Sequence, residues 1–299
     1  MNSGESPSIV DPVVESPGGV SYQPPATTPA IINPDNPPWG ALAAFGTWFG
    51  SIIFLIFVPI FTALPYMVYA AARGTGGPSE SFLADKNLIF FSVLGVFPAH
   101  LLTLGFAWLI VTRAGRYPFW ETLGWKWPAN FGPWKSVGIA LLLLGIGMLI
   151  TYFVGGKTTQ LDELINSSYR TRVTTAILAA TTAPLVEEVV YRGVLYSAFK
   201  RAVGVFASVV IVSILFAGVH VAQYRSNIGV IAVISILSIS LTVVRAYSGS
   251  LLPSFIIHFV FNGIQSVLLV IQPFIEKSEQ VMPEKVPAHL IASFLRLIF

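Results

Sequence analysis

Two adjacent glutamates, Glu187 and Glu188, stand in the middle of an apolar run at residues 173–199, and Arg192 follows four residues after the second. Of the fourteen acidic residues in the chain, only these two fall inside an apolar run. An ionisable side chain at mid-membrane costs about 2.5–3.5 kcal/mol on insertion scales, so such a pair needs partners or a water-filled cavity and marks a functional site by default. On an α-helix Glu188 and Arg192 share a face, so the guanidinium can hold that carboxylate while Glu187 projects about 100° away. One glutamate then reads as structural. The other is free to take a proton from water and return it to a leaving group, the work of a general base. Pro184, three residues before Glu187, removes a backbone donor and predicts a bend beside the carboxylates.

Three of the four histidines, His100, His220 and His258, also lie in apolar runs. FAGVH at 216–220 puts Phe216 and His220 on one helix face, and HFVFN at 258–262 does the same for His258 and Asn262. Two neutral imidazoles and the Glu187 carboxylate can bind a zinc ion in the two-His-one-Glu manner, with a water at the open position. Equally, the histidines can hold a glutamate-activated water without metal, with the Asn262 amide donating to the oxyanion that forms on an attacked carbonyl. His100 has no such companions and reads as an interhelical hydrogen-bonding residue. With no cysteine in the chain, thiol nucleophiles, thiolate metal sites and disulfides are excluded.

These groups must be carried by membrane helices. The 299 residues are 54% hydrophobic and 10% charged, far below the roughly 25% charged residues of a soluble domain. Runs free of Asp, Glu, Lys and Arg cover 36–72, 87–112, 136–156, 202–224, 226–244 and 246–275. Each is near or above the about 20 residues that cross a bilayer as helix. With 173–199 they make seven spans, leaving room for an eighth, and their unbroken hydrophobicity predicts an all-α polytopic transmembrane helical bundle rather than a barrel. Pro59 and Pro65 predict that the first span kinks or ends early. Residues 1–38 are proline-rich, with four acids and no Lys or Arg, and read as a disordered tail. Trp120, Trp125, Trp127 and Trp134 in the loop 113–135 predict a connection lying along the headgroup interface. Small residues of the later spans, Ser235 and Ser238 among them, read as ordinary close helix contacts. The net charge of +3 is spread singly between spans, so no nucleic-acid partner is expected.

EEVVYR at 187–192, FAGVH at 216–220 and HFVFN at 258–262 together resemble the EExxxR, FxxxH and HxxxN signatures of the CPBP intramembrane metalloproteases, the CAAX amino-terminal protease or abortive-infection family. The resemblance covers roughly residues 170–275. It implies that Glu187 activates water, that Glu188 and Arg192 support the site, that His220 and His258 bind water or a metal such as zinc, and that Asn262 helps form the oxyanion site. It also implies an intramembrane endopeptidase of a multi-pass, prokaryotic cell-membrane protein, with membrane lipids and a peptide or protein substrate, CAAX-type or other, as partners. The domain organisation expected is a tail at 1–38, N-terminal spans and an interfacial loop at 39–169, a catalytic core at 170–275 and a C-terminal tail at 276–299. The competing class is a non-enzymatic binding or immunity factor, or a proton-coupled transporter using the same buried carboxylates.

Overall fold

The computed structural model describes residues 33–74, 85–155 and 157–281. Among them every regular element is helical: α1 (Ala41–Ala72), α2 (Lys86–Leu94), α3 (Val96–Thr112), α4 (Phe119–Thr122), α5 (Pro133–Val154), α6 (Gln160–Asn166), α7 (Tyr169–Ala180), α8 (Thr182–Glu187), a π-helix (Glu188–Leu195), α9 (Tyr196–Val203), α10 (Val205–Tyr224), α11 (Ile228–Ser248) and α12 (Leu251–Val281). Seven stretches are long and apolar enough to cross a bilayer, with α2–α3 forming one and α7 through α9 another. The chain is a multi-pass helical membrane protein.

Local chemistry sets the helix starts. The Asp85 side chain accepts from the amides of Asn87 and Leu88 at the head of α2, and Thr159 with Asp162 forms a capping box at the head of α6. Pro133 opens α5 at a position where its missing N–H costs nothing. Packing then sorts the helices. One core gathers the π-helix, α1, α3 and α10, with Val189, Val194, Leu195, Tyr196 and Phe216 fully enclosed. A second joins α5, α11 and α12 through Leu144, Leu241 and Ile257. Gly95, between α2 and α3, lets that span lie directly on α1: a Cβ there would stand 2.6 Å from the Pro59 Cα.

Four expectations change. α1 continues as helix through Pro59 and Pro65 to Ala72 rather than ending early, because a backbone in lipid must satisfy its bonds within the helix. Residues 33–38, read as tail, are held: Asp35 pairs with Lys200 at 2.6 Å and Arg245 at 3.1 Å. Arg201 donates to the carbonyls of Pro37 and Trp39, and Arg113 to that of Pro38. These cations supply the partners that the acidic, Pro-rich segment lacks by itself. Arg245, read as a loop residue dividing two runs, is fully buried in the last turn of α11, where Asp35 neutralises it. Finally, α12 continues past 275 to Val281, while the rest of the expected C-terminal tail and residues 1–32 lie outside the described residues.

The tryptophan loop is divided between roles. Trp134 is 84% exposed, as an interfacial anchor should be. Trp125 instead stacks on Phe255 of α12 at 4.8 Å, and the Ser250 hydroxyl holds the Gly124 carbonyl at 2.7 Å, so the loop is bolted to the start of α12.

Candidate active site

The span that carries the glutamates is broken twice. The bend expected from Pro184 appears at Thr181, where α7 gives way to α8. Immediately after Glu187 the backbone widens into π-helix, whose bonds run i→i+5, as from the Tyr196 amide to the Tyr191 carbonyl. π-turns are rare and concentrate at functional sites. Here the wide turn is gripped from outside: the Trp39 indole donates to the Val194 carbonyl at 3.1 Å, and the Trp48 indole to the Tyr191 hydroxyl at 3.0 Å.

Glu188 and Arg192 are both fully buried and paired at 3.0 Å. The guanidinium places three further donors on the Ser238 carbonyl (3.1 Å), the Ser238 hydroxyl (3.0 Å) and the Thr242 hydroxyl (3.3 Å), and lies 4.5 Å over the Phe216 ring. A buried pair is costly unless such bonds complete it, and here they serve the cation, while Glu188 Oε2 is buried without a hydrogen-bond partner among the described residues. Ser238 is thus more than the small contact residue read from sequence, and Thr242, which the sequence reading did not single out, joins it. They are four apart on α11, and that spacing was the available signal.

The same Glu188 oxygen lies 3.0 Å from His258 Nδ1, and His258 Nε2 lies 3.5 Å from Glu187 Oε2. His258 is therefore threaded between the two carboxylates, one sealed and one open, since the Glu187 side chain keeps 25% of its surface accessible. His220 Nδ1 is 2.8 Å from the Phe216 carbonyl, which can only accept, so this nitrogen carries the proton and Nε2 presents its lone pair. Phe216 stacks beside both imidazoles, at 4.8 Å from His220 and 6.0 Å from His258. Asn262 donates to the Ala179 carbonyl at 3.1 Å, in the last turn before the break at Thr181, and its second amide hydrogen has no partner among the described residues. Glu187, His220, His258 and Asn262 all line one cavity of about 160 Å³. His100 lies outside it and bonds Thr182 at 2.8 Å, tying α3 to α8.

The cavity thus collects four of the six residues read from sequence, with Glu188 and Arg192 directly behind His258. Residues 170–264, which hold all six, match the family described as type II CAAX prenyl endopeptidase Rce1-like. That segment is similar to the Rce1-like family. Comparison with curated proteins and with solved structures gives no match. The match begins within a residue of α7 and ends in α12, so the N-terminal spans that grip the π-helix lie outside the Rce1-like segment.

For a metal, the donors are of the right kind, and each imidazole has its Nδ1 fixed by a neighbour, as ligating histidines usually do. Their disposition does not fit: among the described residues no three His, Asp or Glu side chains converge as a metal-holding group.

Proposed function

We propose that the protein is an intramembrane endopeptidase in which Glu187 activates the attacking water. The observation that carries this reading is the asymmetry of the glutamate pair: Glu188 is sealed against Arg192 and His258, while Glu187 faces a cavity of a size for a few waters. With Glu188 ionised beside Arg192, His258 donates to it from Nδ1 and presents Nε2 to Glu187. That contact lacks one proton, and the proton taken from water fills it.

Chemically, a water accepted by His220 Nε2 loses a proton to Glu187 and attacks the carbonyl carbon of the scissile peptide. The carbonyl oxygen becomes an oxyanion, which the second Asn262 amide hydrogen meets. Collapse of the tetrahedral species breaks the C–N bond, and Glu187 returns its proton to the departing amine. Arg192 and Glu188 do not touch the substrate; they hold His258 in the one tautomer that serves Glu187. The breaks in the helix serve the same end, since α8 ends with Glu187 on the cavity and the π-turn that follows keeps Glu188 behind His258.

The test is cleavage of a fluorogenic peptide library, prenylated and unprenylated, by purified protein in detergent, beside Glu187→Ala and His258→Ala, each with and without chelator. Cleavage by wild type alone, unchanged by chelator, supports the reading. Loss of cleavage on chelation would replace the metal-free water with a metal-bound one. A proton gradient-dependent uptake with no cleavage would replace the enzyme with a carrier.

A further inference from the structure

The cavity has a second polar tier that the reaction above leaves unused. One helical turn outward from Ala179, His220 and Asn262, on the same three helices, stand Thr175, Tyr224 and Ser266, and all three line the cavity. Among the described residues none of their hydroxyls makes a hydrogen bond, and the Thr175 oxygen is buried without a partner. Hydroxyls within spans usually satisfy themselves on the carbonyl four residues back. In this chain Thr103, Thr151, Ser235 and Thr242 do so at 2.8–3.0 Å. Thr175 and Ser266 forgo that bond and face the cavity instead. Burying an unpaired hydroxyl such as that of Thr175 is costly, and with the Tyr224 and Ser266 hydroxyls lining the same pocket it points to an acceptor that binds there.

Resting on the endopeptidase reading, we propose that Thr175, Tyr224 and Ser266 form a subsite that donates hydrogen bonds to a substrate backbone carbonyl about two residues from the scissile bond. The spacing sets the number. Four residues of helix rise about 6 Å, and an extended peptide advances about 3.3 Å per residue. A substrate strand whose scissile carbonyl meets Glu187 and Asn262 therefore brings a carbonyl two residues on to the hydroxyl tier. The recognised group is the peptide backbone itself, so the subsite fixes register rather than side-chain identity. Leu161 and Ile165 of α6 and Leu269 of α12 line the same cavity and supply apolar walls around the three donors.

The experiment uses full-length Glu187→Gln protein in detergent, which retains the pocket without turnover, and fluorescein-labelled peptides selected from the prenylated and unprenylated library by binding. Thr175→Val, Tyr224→Phe and Ser266→Ala each remove one hydroxyl at nearly constant volume. Each is expected to weaken binding about fivefold, the worth of one hydrogen bond. Replacing the amide two residues from the cleaved bond by a thioamide, whose sulfur is a poor acceptor, weakens binding to the unmodified pocket and changes nothing further in the triple variant. Ser213→Ala, a buried hydroxyl without a partner outside this cavity, is the control and leaves affinity unchanged. If peptides are bound and cleaved yet the three variants bind like the parent, the subsite falls alone. If no peptide is bound or cleaved, the endopeptidase reading falls and the subsite with it.

Discussion

Removing Arg192 separates the stability of the buried pair from its use. Arg192→Met leaves the fully buried Glu188 carboxylate without its counter-ion, a loss of about 3–5 kcal/mol for a broken buried pair. The double variant Glu188→Leu with Arg192→Met buries no charge. Its losses are the His258 Nδ1 contact and the Ser238 hydroxyl contact, because the Ser238 carbonyl still accepts from Thr242 at 2.8 Å. Unpaired polar groups cost about 1–3 kcal/mol each, and a His258 ring no longer held by Glu188 can turn Nδ1 to the cavity water, so the double should lose about 1–3 kcal/mol in all. It is therefore more stable than Arg192→Met alone. Unfolding in a mixed-detergent titration, followed by tryptophan fluorescence, measures the difference. Both variants should lose peptide cleavage, since neither keeps an Arg192-paired carboxylate against His258 Nδ1. A double variant as unstable as the single, or one that still cleaves, would refute the assignment of this pair to holding His258.

Other outcomes follow from contacts away from the cavity. Gly95→Ala sets a Cβ 2.6 Å from the Pro59 backbone, where nothing flexible can yield, and should cost about 1–3 kcal/mol in the same titration. Asp35→Ala strips Arg245 of its only carboxylate among the described residues and should cost about 2 kcal/mol, less than a fully buried pair because Asp35 is partly exposed. Burial pushes the Asp162 carboxyl in α6 up, against the Thr159 bonds that pull it down. Its contribution is therefore present at low pH and lost as pH rises through the raised folded value. Hydrogen exchange across residues 160–166, corrected for intrinsic rate, should quicken over that rise and lose this pH dependence in Asp162→Asn.

Much of the site was legible because its residues sit at helical spacing. EExxxR placed Arg192 over Glu188, and HxxxN put Asn262 on the face of His258. What could not be read were the contacts that join distant segments. The π-turn depends on Trp39 and Trp48, about 150 residues upstream of the carbonyl and hydroxyl they hold. Asp35 is 210 residues from Arg245, so a rule that ended apolar runs at charges turned a buried cation into a loop residue. The same distance hid the order of residues 33–38, where composition alone shows only proline and acid. Pro59 and Pro65 misled about where the first span ends, because propensity measured in water underestimates how strongly lipid enforces backbone bonding.

The most direct test of the central claim is hydrolysis of a peptide that wild type cleaves, run in heavy-oxygen water beside Glu187→Gln, with mass spectrometry of the new carboxyl terminus. A single heavy oxygen at that terminus with wild type, and no product above background with Glu187→Gln, is the result predicted for a water activated by Glu187. Labelled product from Glu187→Gln at the wild-type rate would contradict it.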